Sequence, residues 1–459
     1  MIVCKFGGSS LSDASQIKQV CSIVLENPER KIMVVSAPGV RKNVIPDRKV
    51  TDILLSIIEE TDAGRDAIED RRLIEDRLHG IAKGLGLPDV IATDLSTDIN
   101  RLASQLDPQN RSTRDALVAM GEVSSAQLIA AYLQMLGHRA RYVDPREAGL
   151  TLTYQASATV ILPETYENLA PLSLTDEIIV FPGFFGVTPE GKTITFSRGG
   201  SDITGAILAA AVNARLYENW TDRDSVFAVN PEFIADAVPL GEMSYREMRE
   251  LAYIGFSIIH HEALEPVMTK DIPIHIKNTN EPSSPGTRII KERTHIDRIV
   301  TGIAAADNFC SVNLRRILIN QEVGILSKIL TIFAELGINV HHVPTGIDSV
   351  SIVIREEQLP LEIELALRQR LDRELGLRQV TVVRQLSIIM LVGEGIRDTV
   401  GVMARAMTAM AKEQISVEMV ILDYFEISMV FLMRHYERQR AVSALYREFF
   451  ENGLSLQAN

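Results

Sequence analysis

The chain has 459 residues, 46% of them hydrophobic, which is enough for about two or three domains with their own cores. Its 60 acidic and 47 basic residues give a formal net charge of −13, which argues against non-specific nucleic-acid binding. The three scattered cysteines predict reduced, buried thiols in a cytoplasmic protein rather than a metal site. We expect neither a signal peptide nor a membrane span, because no uninterrupted apolar run is long enough.

The N-terminus predicts a strand over residues 1–6, then a glycine turn, then a helix capped by Ser12. Lys5 therefore stands at the end of a strand, beside the backbone N–H groups of Gly7 and Gly8. A lysine charge together with free backbone donors suits a phosphate group. An exposed lysine beside a turn explains these residues equally well when they are taken alone.

The next stretch, residues 31–39, predicts a buried parallel strand that ends in a Ser-Ala-Pro-Gly turn. A basic loop follows it, and Thr51 then opens a helix. The charged residues 65–77 predict an exposed helical surface. Residues 116–136 predict a long amphipathic helix that contains Gly121 and Glu122. A mid-helix glycine costs about 1 kcal/mol relative to alanine, so close approach of another element would justify Gly121.

The densest group of chemically useful residues lies at positions 196–205, between a short strand at 192–196 and an Ala-rich helix at 206–211. Gly199 and Gly200 allow backbone N–H groups to approach an anion at a helix N-terminus. Arg198 offers a planar fork for a carboxylate or a phosphate. Asp202 then requires a balancing cation or metal ion. A glycine-rich turn with a solvated aspartate is the alternative interpretation.

Further strands are predicted at 141–143, 177–181, 215–220 and 272–277, and they alternate with helices. Polar and glycine residues cluster where these strands end. This pattern indicates an open, mostly parallel α/β sheet with its site along the carboxyl edge. After about residue 297, two stretches (309–373 and 386–450) repeat a βαββα order, which predicts two small units of one type.

Together these motifs resemble the aspartate kinases over essentially the whole chain. Residues 5–10 look like the family's K-F-G-G-[TS]-S signature, residues 198–202 like R-G-G-S-D, and residues 220–222 like W-T-D. The two C-terminal repeats look like paired, ferredoxin-like ACT domains (βαββαβ), the family's amino-acid-sensing module. The length leaves no room for a fused homoserine dehydrogenase, so a monofunctional enzyme is expected.

The resemblance implies an amino-acid-kinase fold, in which an open, mostly parallel sheet is sandwiched by helices. The expected domains are a catalytic domain at 1–296 and ACT domains at 297–383 and 384–459. The implied reaction is transfer of the γ-phosphoryl group of ATP, with Mg²⁺, to the side-chain carboxylate of L-aspartate. This would be the first step of lysine, threonine and methionine biosynthesis.

The resemblance also implies roles for particular residues. Lys5 and Asp202 would be catalytic, with Lys5 neutralising the transferring phosphoryl group. Arg198 would pair with the substrate α-carboxylate and Glu122 with its ammonium group. The substrate aspartate is already ionised at neutral pH, so the reaction requires no general base, and no metal site built by the protein alone is expected. The remaining contacts would come from Ser36, Thr51 and Ser201 for substrate and from Gly7, Gly8, Thr221, Asp222, Phe227 and Lys277 for nucleotide.

A feedback amino acid, lysine or threonine or both, would bind the first ACT unit according to the same resemblance. ACT units commonly pair between subunits, so a homodimer or a higher homo-oligomer is implied, which would cover exposed sheet edges. The expected effector residues are Asn320, Gly324, Ile325, Leu326, Val340, His341 and Ser349.

Four positions depart from the family pattern, and one of them is Ser225, which replaces a glycine. Phe227 replaces the usual tyrosine, Glu232 the usual arginine and Ser257 the usual lysine. These changes would weaken or reshape nucleotide binding, with Arg223 or Lys277 as substitutes. They leave two alternatives open: a kinase for another amino acid, or a non-catalytic amino-acid sensor with a degenerate kinase domain. His260 is expected to pack or hydrogen-bond rather than to act as a base.

Overall fold

The computed structural model describes residues 1–42, 44–155, 158–197, 199–256, 258–293, 298–422 and 427–451. The chain divides into two compact units. Unit 1 comprises residues 1–226, 239–252 and 257–293, and unit 2 comprises residues 227–238, 253–256 and 294–459.

Unit 1 alternates strands and helices, as the sequence predicts. Its strands, with β10 ending one residue inside unit 2, are β1 (Ile2–Phe6), β2 (Arg30–Val35), β3 (Ala140–Tyr142), β4 (Leu152–Gln155), β5 (Ala158–Ile161), β6 (Ile178–Pro182), β7 (Phe185–Val187), β8 (Thr193–Thr195), β9 (Leu216–Thr221), β10 (Val226–Phe227), β11 (Pro239–Leu240), β12 (Glu242–Ser244), β13 (Ile274–Asn278) and β14 (Thr287–Ile290). Its helices, with α9 ending at the first residue of a unit 2 segment, are α1 (Ala14–Leu25), α2 (Val50–Asp62), α3 (Ile68–Leu85), α4 (Asp89–Ser104), α5 (Arg111–Met135), α6 (Pro145–Ala148), α7 (Glu164–Leu169), α8 (Gly200–Ala211), α9 (Tyr245–Tyr253) and α10 (Leu264–Met268).

An eight-stranded sheet in the order β12-β14-β13-β9-β1-β2-β6-β3 forms the centre of unit 1. Its neighbouring strands run parallel except for the β13–β14 pair, so the predicted open, mostly parallel sheet is confirmed. Alternate residues of β1 face opposite sides of the sheet. Cys4 and Phe6 join a hydrophobic core that includes residues of α1 to α5, whereas Lys5 contacts Asp202 of α8. Helices therefore cover both faces of this sheet.

Helix α1 buries the predicted stripe that includes Ile17 and Val24. The predicted cap is wrong, because Asp13 rather than Ser12 accepts hydrogen bonds from the N–H groups at the helix start. An aspartate one residue closer to the helix satisfies these otherwise unpaired donors. Cys4, Cys21 and Cys310 are buried free thiols, as predicted.

The interpretation of residues 65–77 as an exposed surface is wrong at Arg77, which is one of the buried residues of helix α3. Helix α5 is long and apolar enough to span a membrane by length and composition, but 78% of its most apolar window is buried inside the protein. That burial is typical of a core helix. A Cβ at Gly121 of α5 would lie 2.7 Å from the Cβ of Ala37, which confirms the close approach expected there.

Unit 2 contains one six-stranded sheet in the order β16-β17-β15-β18-β20-β19. Its helices are α11 (Ile325–Glu335), α12 (Leu361–Leu375), α13 (Val402–Lys412) and α14 (Arg438–Tyr446). Its strands are β15 (Gly302–Arg315), β16 (Val340–His342), β17 (Ser349–Arg355), β18 (Gln379–Val392), β19 (Val417–Leu422) and β20 (Ser428–Arg434).

The two repeats of unit 2 share their longest strands. β15 begins at Gly302, earlier than predicted, and its first part pairs with the last part of β18, which also pairs with β20. The register shifts between Ala306 and Phe309, where Asn308 has a φ of 64°. Such an irregularity bends the strand, so that its two parts can belong to different repeats. The boundary proposed at residues 383/384 falls inside β18, so the domain limits stay a prediction.

Candidate active site

A cavity of about 1140 Å³ opens in unit 1 where β1, β2 and β9 reach their carboxyl ends. This is the edge of the sheet at which the sequence places a site. The cavity brings together eight of the predicted site residues: Lys5, Gly8, Ser36, Thr51, Glu122, Ser201, Asp202 and Asp222.

Lys5 and Asp202 form a largely buried ion pair, with 2.6 Å between Nζ and Oδ1 and each side chain only 11% exposed. Asn219, which is opposite Lys5 in the β1–β9 register, donates its amide to the same oxygen at 3.0 Å. Asp202 lies in the first turn of α8, where the helix dipole favours a negative charge. The cation that Asp202 requires is therefore Lys5, held in a defined position.

The glycine turn after β1 packs closely against the turn after β2. A Cβ at Gly39 would lie 2.6 Å from the carbonyl carbon of Gly8, and the Gly39 N–H donates to the Gly8 oxygen at 2.8 Å. Gly8 lines the cavity. The Gly7 N–H donates to the carbonyl of Trp220 at 3.1 Å, so it is not a free donor for a phosphate.

Glu122 is 4% exposed and reaches the cavity from the middle of helix α5. Its Oε1 accepts the N–H of Ala37 at 3.0 Å, while Oε2 has no hydrogen-bond partner among the described residues. Burial raises the pKa of this carboxyl to about 8, against an ordinary value of 4.5. An unpaired buried acceptor is costly unless a ligand supplies a donor. A cationic group would satisfy it best.

The three hydroxyl residues predicted to contact substrate, Ser36, Thr51 and Ser201, all line the cavity. Ser201 lies close to the chain after β6, since a Cβ at Gly183 would be 2.6 Å from its Oγ. Arg198, the predicted partner of a carboxylate, lies outside the described residues.

The predicted nucleotide residues are less concentrated. Asp222 lines the cavity, whereas Thr221 and Lys277 are absent from its described lining. Lys277 donates to the carbonyl of Ser284 at 2.7 Å and lies 5.6 Å from the ring centroid of Trp220, and burial lowers its pKa. Phe227 belongs to unit 2, as does Glu232, which accepts a hydrogen bond from Asn230. Ser257 lies outside the described residues.

Phe184 is a cavity residue that sequence reasoning missed. Its φ is 76°, a left-handed backbone that costs a bulky residue about 1–3 kcal/mol. The hydroxyl of Thr204 accepts its N–H at 3.1 Å, and its carbonyl accepts the N–H of Phe196 at 2.9 Å. Because these bonds come from distant positions, no local pattern in the sequence predicts this conformation.

His260 packs against the turn that begins helix α8. A Cβ at Gly199 would lie 2.4 Å from the Cβ of His260, and Gly199 itself has a φ of 73°. His260 is not among the residues that line the cavity. This agrees with its expected packing role.

The predicted effector residues lie in unit 2, around the start of α11 and on β16 and β17. The N–H of Asn320 donates to the carbonyl of Ile347 at 3.3 Å, which joins the loop before α11 to the loop before β17. Gly324 caps α11 with a φ of 80°. Ile325 is buried, Val340 and His341 are half-buried, and the remaining effector residues are exposed: Asn320, Gly324, Leu326 and Ser349.

His341 is held by two aromatic side chains of unit 2. Its Nδ1 lies 3.0 Å from the hydroxyl of Tyr253, and its ring meets Phe309 edge-on at 5.1 Å between centroids. Burial lowers the pKa of His341 to about 4, so the ring is neutral at physiological pH.

The residues fit a magnesium ion only when phosphates share the coordination. In the described part of the chain, no three His, Cys, Asp or Glu side chains cluster as a metal site. Mg²⁺ in kinases is held by one or two carboxylates together with substrate phosphates. Asp202 and Asp222 line the same cavity and match that requirement.

Comparison with known proteins shows the family to which this chain belongs. The amino acid kinase family matches residues 1–278, and an ACT domain matches residues 389–449. The chain belongs to the aspartokinases within the amino acid kinase family, since it is 43% identical over 450 residues to aspartokinase 3 of Bacillus subtilis. That match covers 98% of this chain and 99% of the relative. Chloroplastic aspartokinase 1 of Arabidopsis thaliana is 30% identical over 468 residues, which cover 98% of this chain and 80% of the relative.

Solved structures agree with this assignment. The crystal structure of Clostridium acetobutylicum aspartate kinase matches with a TM-score of 0.84 and 32% identity, covering 98% of this chain and 100% of that one. Escherichia coli aspartokinase III in complex with aspartate and ADP matches with a TM-score of 0.82 and 23% identity over 98% and 100% of the two chains, which supports the fold.

Proposed function

We propose that this chain transfers the γ-phosphoryl group of ATP to the side-chain carboxylate of L-aspartate, giving 4-phospho-L-aspartate and ADP. The observation that carries the proposal is one cavity that holds a buried Lys5–Asp202 pair and the unpaired Oε2 of Glu122. The 43% identity to an aspartokinase over nearly the full chain supports the same reaction. In metabolism this would be the first step towards lysine, threonine and methionine, in the cytoplasm.

The chemical step needs electrostatic stabilisation more than proton transfer. A carboxylate oxygen forms a bond to the γ-phosphorus while the bond to the departing ADP oxygen breaks, and no proton has to move, because the nucleophile is already ionised. Lys5 neutralises charge on the transferring group, and Asp202 with Asn219 keeps its ammonium group in place. A donor that is positioned beforehand avoids reorganisation during the reaction.

Recognition of aspartate rests on charge complementarity. Oε2 of Glu122 accepts the substrate ammonium group, which satisfies an atom that otherwise has no partner in the described structure. Arg198 pairs with the α-carboxylate. Hydroxyl groups of Ser36, Thr51 and Ser201 complete the contacts from the cavity wall. Binding the ammonium ion requires ionised Glu122, so substrate and proton compete at neutral pH.

ATP would enter with Mg²⁺, which Asp202 and Asp222 would hold together with the phosphates, and the ion would offset phosphate charge. Gly8 contributes the close approach of its backbone, and Gly7 shapes the turn. The remaining nucleotide contacts are assigned to Thr221, Asp222, Phe227 and Lys277. Lys277 must leave the carbonyl of Ser284 before it can bind a phosphate.

Unit 2 is assigned to regulation. Lysine, threonine or both bind at the predicted effector residues, and pairing between subunits makes a homodimer or a larger homo-oligomer. The domain limits proposed are 1–296 for the catalytic domain and 297–383 and 384–459 for the ACT domains.

The test is ATP-dependent formation of acyl phosphate, trapped as the hydroxamate with hydroxylamine. We expect product with L-aspartate and much less with L-glutamate, and inhibition by lysine or threonine. Product with another amino acid but not with aspartate would show that aspartate is not the substrate. No product from a protein that still binds lysine or threonine would favour a sensor without catalytic activity.

A further inference from the structure

The loop after β2, residues 39–49, carries four cations close to the cavity and is here termed the basic loop; Asn43 lies outside the described residues. Two of the cations are engaged in ion pairs. Arg41 pairs with Asp47 at 2.7 Å, and Arg48 pairs with Asp70 at 2.7 Å. The first pair joins two residues of the loop, and the second joins the loop to helix α3.

The other two cations, Lys42 and Lys49, line the cavity. Neither has an ion-pair partner within the ranges that the structure describes. Lys5, by contrast, is held in a largely buried ion pair with Asp202. Among the described residues that line the cavity, Lys42 and Lys49 are thus the cations that pair with no carboxylate.

The buried side chain of Arg77 is the main anchor of this loop. It is 3% exposed, and its Nη1 donates to the carbonyls of Ser12 at 3.1 Å and Gly39 at 3.0 Å. Its Nη2 donates to Asp47 at 2.7 Å and to the carbonyl of Arg48 at 3.1 Å. One guanidinium group thereby joins the two ends of the basic loop and the chain before α1.

Asp47 completes the anchor from inside the loop. Its side chain is 5% exposed and accepts the backbone N–H of Arg41 at 2.7 Å besides the two guanidinium groups. Burial alone would raise the pKa of Asp47, but hydrogen bonds from Arg41 and the charges of Arg77 and Arg41 lower it well below its ordinary value. The carboxylate therefore stays ionised, and the anchor persists across the physiological pH range.

We propose that Arg77 is a positioning residue that shapes the basic loop so that Lys42 and Lys49 attract anionic substrate groups into the cavity. The proposal rests on the proposed function, since ATP and aspartate supply those groups. Phosphate and carboxylate share the required chemistry. Because one lysine alone could serve, the pair is treated as one anion-attracting element.

The first experiment measures binding, not turnover. Titrations with a non-hydrolysable ATP analogue and, separately, with L-aspartate compare the wild type with the Lys42→Ala/Lys49→Ala double variant at low and high salt. We expect an affinity loss on the order of tenfold for one ligand at low salt, shrinking at high salt as charges are screened. Loss for the analogue identifies phosphate as the anion, and loss for aspartate identifies carboxylate. Unchanged affinity for both overturns the proposal.

The second experiment separates positioning from stability. Arg77→Gln cannot donate to all of its partners at once, so we expect the same ligand to lose affinity, with kcat little changed and partial rescue in Arg77→Lys. Adding Arg77→Gln to the double lysine variant should cost no further affinity, because the lysines are already absent. Arg72→Gln, on the exposed face of α3, is the matched control.

Additive losses, or a fall in stability without any change in affinity, would assign Arg77 a purely structural role. If Arg77→Gln does not fold, Asp47→Asn tests the same anchor from the loop side. A protein that makes no acyl phosphate, but whose affinity for the analogue depends on Lys42 and Lys49, would refute the proposed reaction and support this inference.

Discussion

Replacing Glu122 with glutamine should remove a loss of folding stability that the wild type undergoes as the pH rises. Burial raises the pKa of Glu122 from 4.5 to about 8. Above the unfolded-state pKa the unfolded chain ionises first, so this group lowers the free energy of unfolding progressively between pH 4.5 and pH 8. The full shift corresponds to about 5 kcal/mol. Glu122→Gln keeps the shape and the hydrogen bond to Ala37 but removes this titration.

The assay is urea unfolding of both proteins from pH 5 to pH 9. We expect Glu122→Gln to gain stability relative to the wild type as pH rises, by several kcal/mol at the alkaline end, while the exposed Glu147→Gln control follows the wild type. Parallel curves for Glu122→Gln and wild type would refute the reasoning.

The same substitution should weaken aspartate binding. Losing a charged acceptor for the substrate ammonium group costs about 1.5–3 kcal/mol, or roughly ten- to a hundredfold in affinity, with ATP affinity unchanged. In the wild type, calorimetry in buffers of different ionisation enthalpy should show proton release from Glu122 when aspartate binds near pH 7. An equal loss for both ligands would contradict the assigned role.

Two further predictions concern the turn before α8 and the effector region. In thermal unfolding, Gly199→Ala should destabilise the protein by about 2 kcal/mol or more, because the new Cβ would lie 2.4 Å from His260 and the positive φ adds its own cost. The control is Gly64→Ala, which has a φ of 69° but open space around it and should cost only about 1 kcal/mol. Equal losses for the two variants would argue against the steric contact. Tyr253→Phe removes the hydrogen bond to His341. The effector concentration for half-inhibition should therefore rise about two- to tenfold, with the uninhibited rate unchanged. An unchanged inhibition curve would show that Tyr253 does not contribute to effector binding.

The parallel sheet and much of the cavity were predictable because the chemistry is local. Apolar runs such as β1 and β2 end at glycine turns, and the residues at their ends meet at one sheet edge. Lys5 lies near the end of β1 and Asp202 in the first turn of α8, so each is next to a glycine turn although the two are far apart in sequence. The mid-helix Gly121 likewise indicated close packing, which the structure locates at Ala37.

Other features depend on distant partners and could not be read locally. Arg77 occurs in a charged stretch and donates hydrogen bonds to four residues outside its own helix, so its burial leaves no periodic signal. Phe184 adopts a positive φ because Thr204 and Phe196 hold its backbone. In unit 2, β15 extends beyond its predicted start because β18 offers a partner along both repeats.

The rate of hydroxamate formation from ATP and L-aspartate, measured for Lys5→Ala beside wild type and the exposed Lys18→Ala on α1, shows whether this cavity carries out phosphoryl transfer. We predict that Lys5→Ala loses turnover by about two orders of magnitude or more, as expected for removing a positioned charge from the transition state, while Lys18→Ala keeps the wild-type rate. A folded Lys5→Ala protein that turns over at the wild-type rate would contradict the assignment of this cavity as the site of phosphoryl transfer.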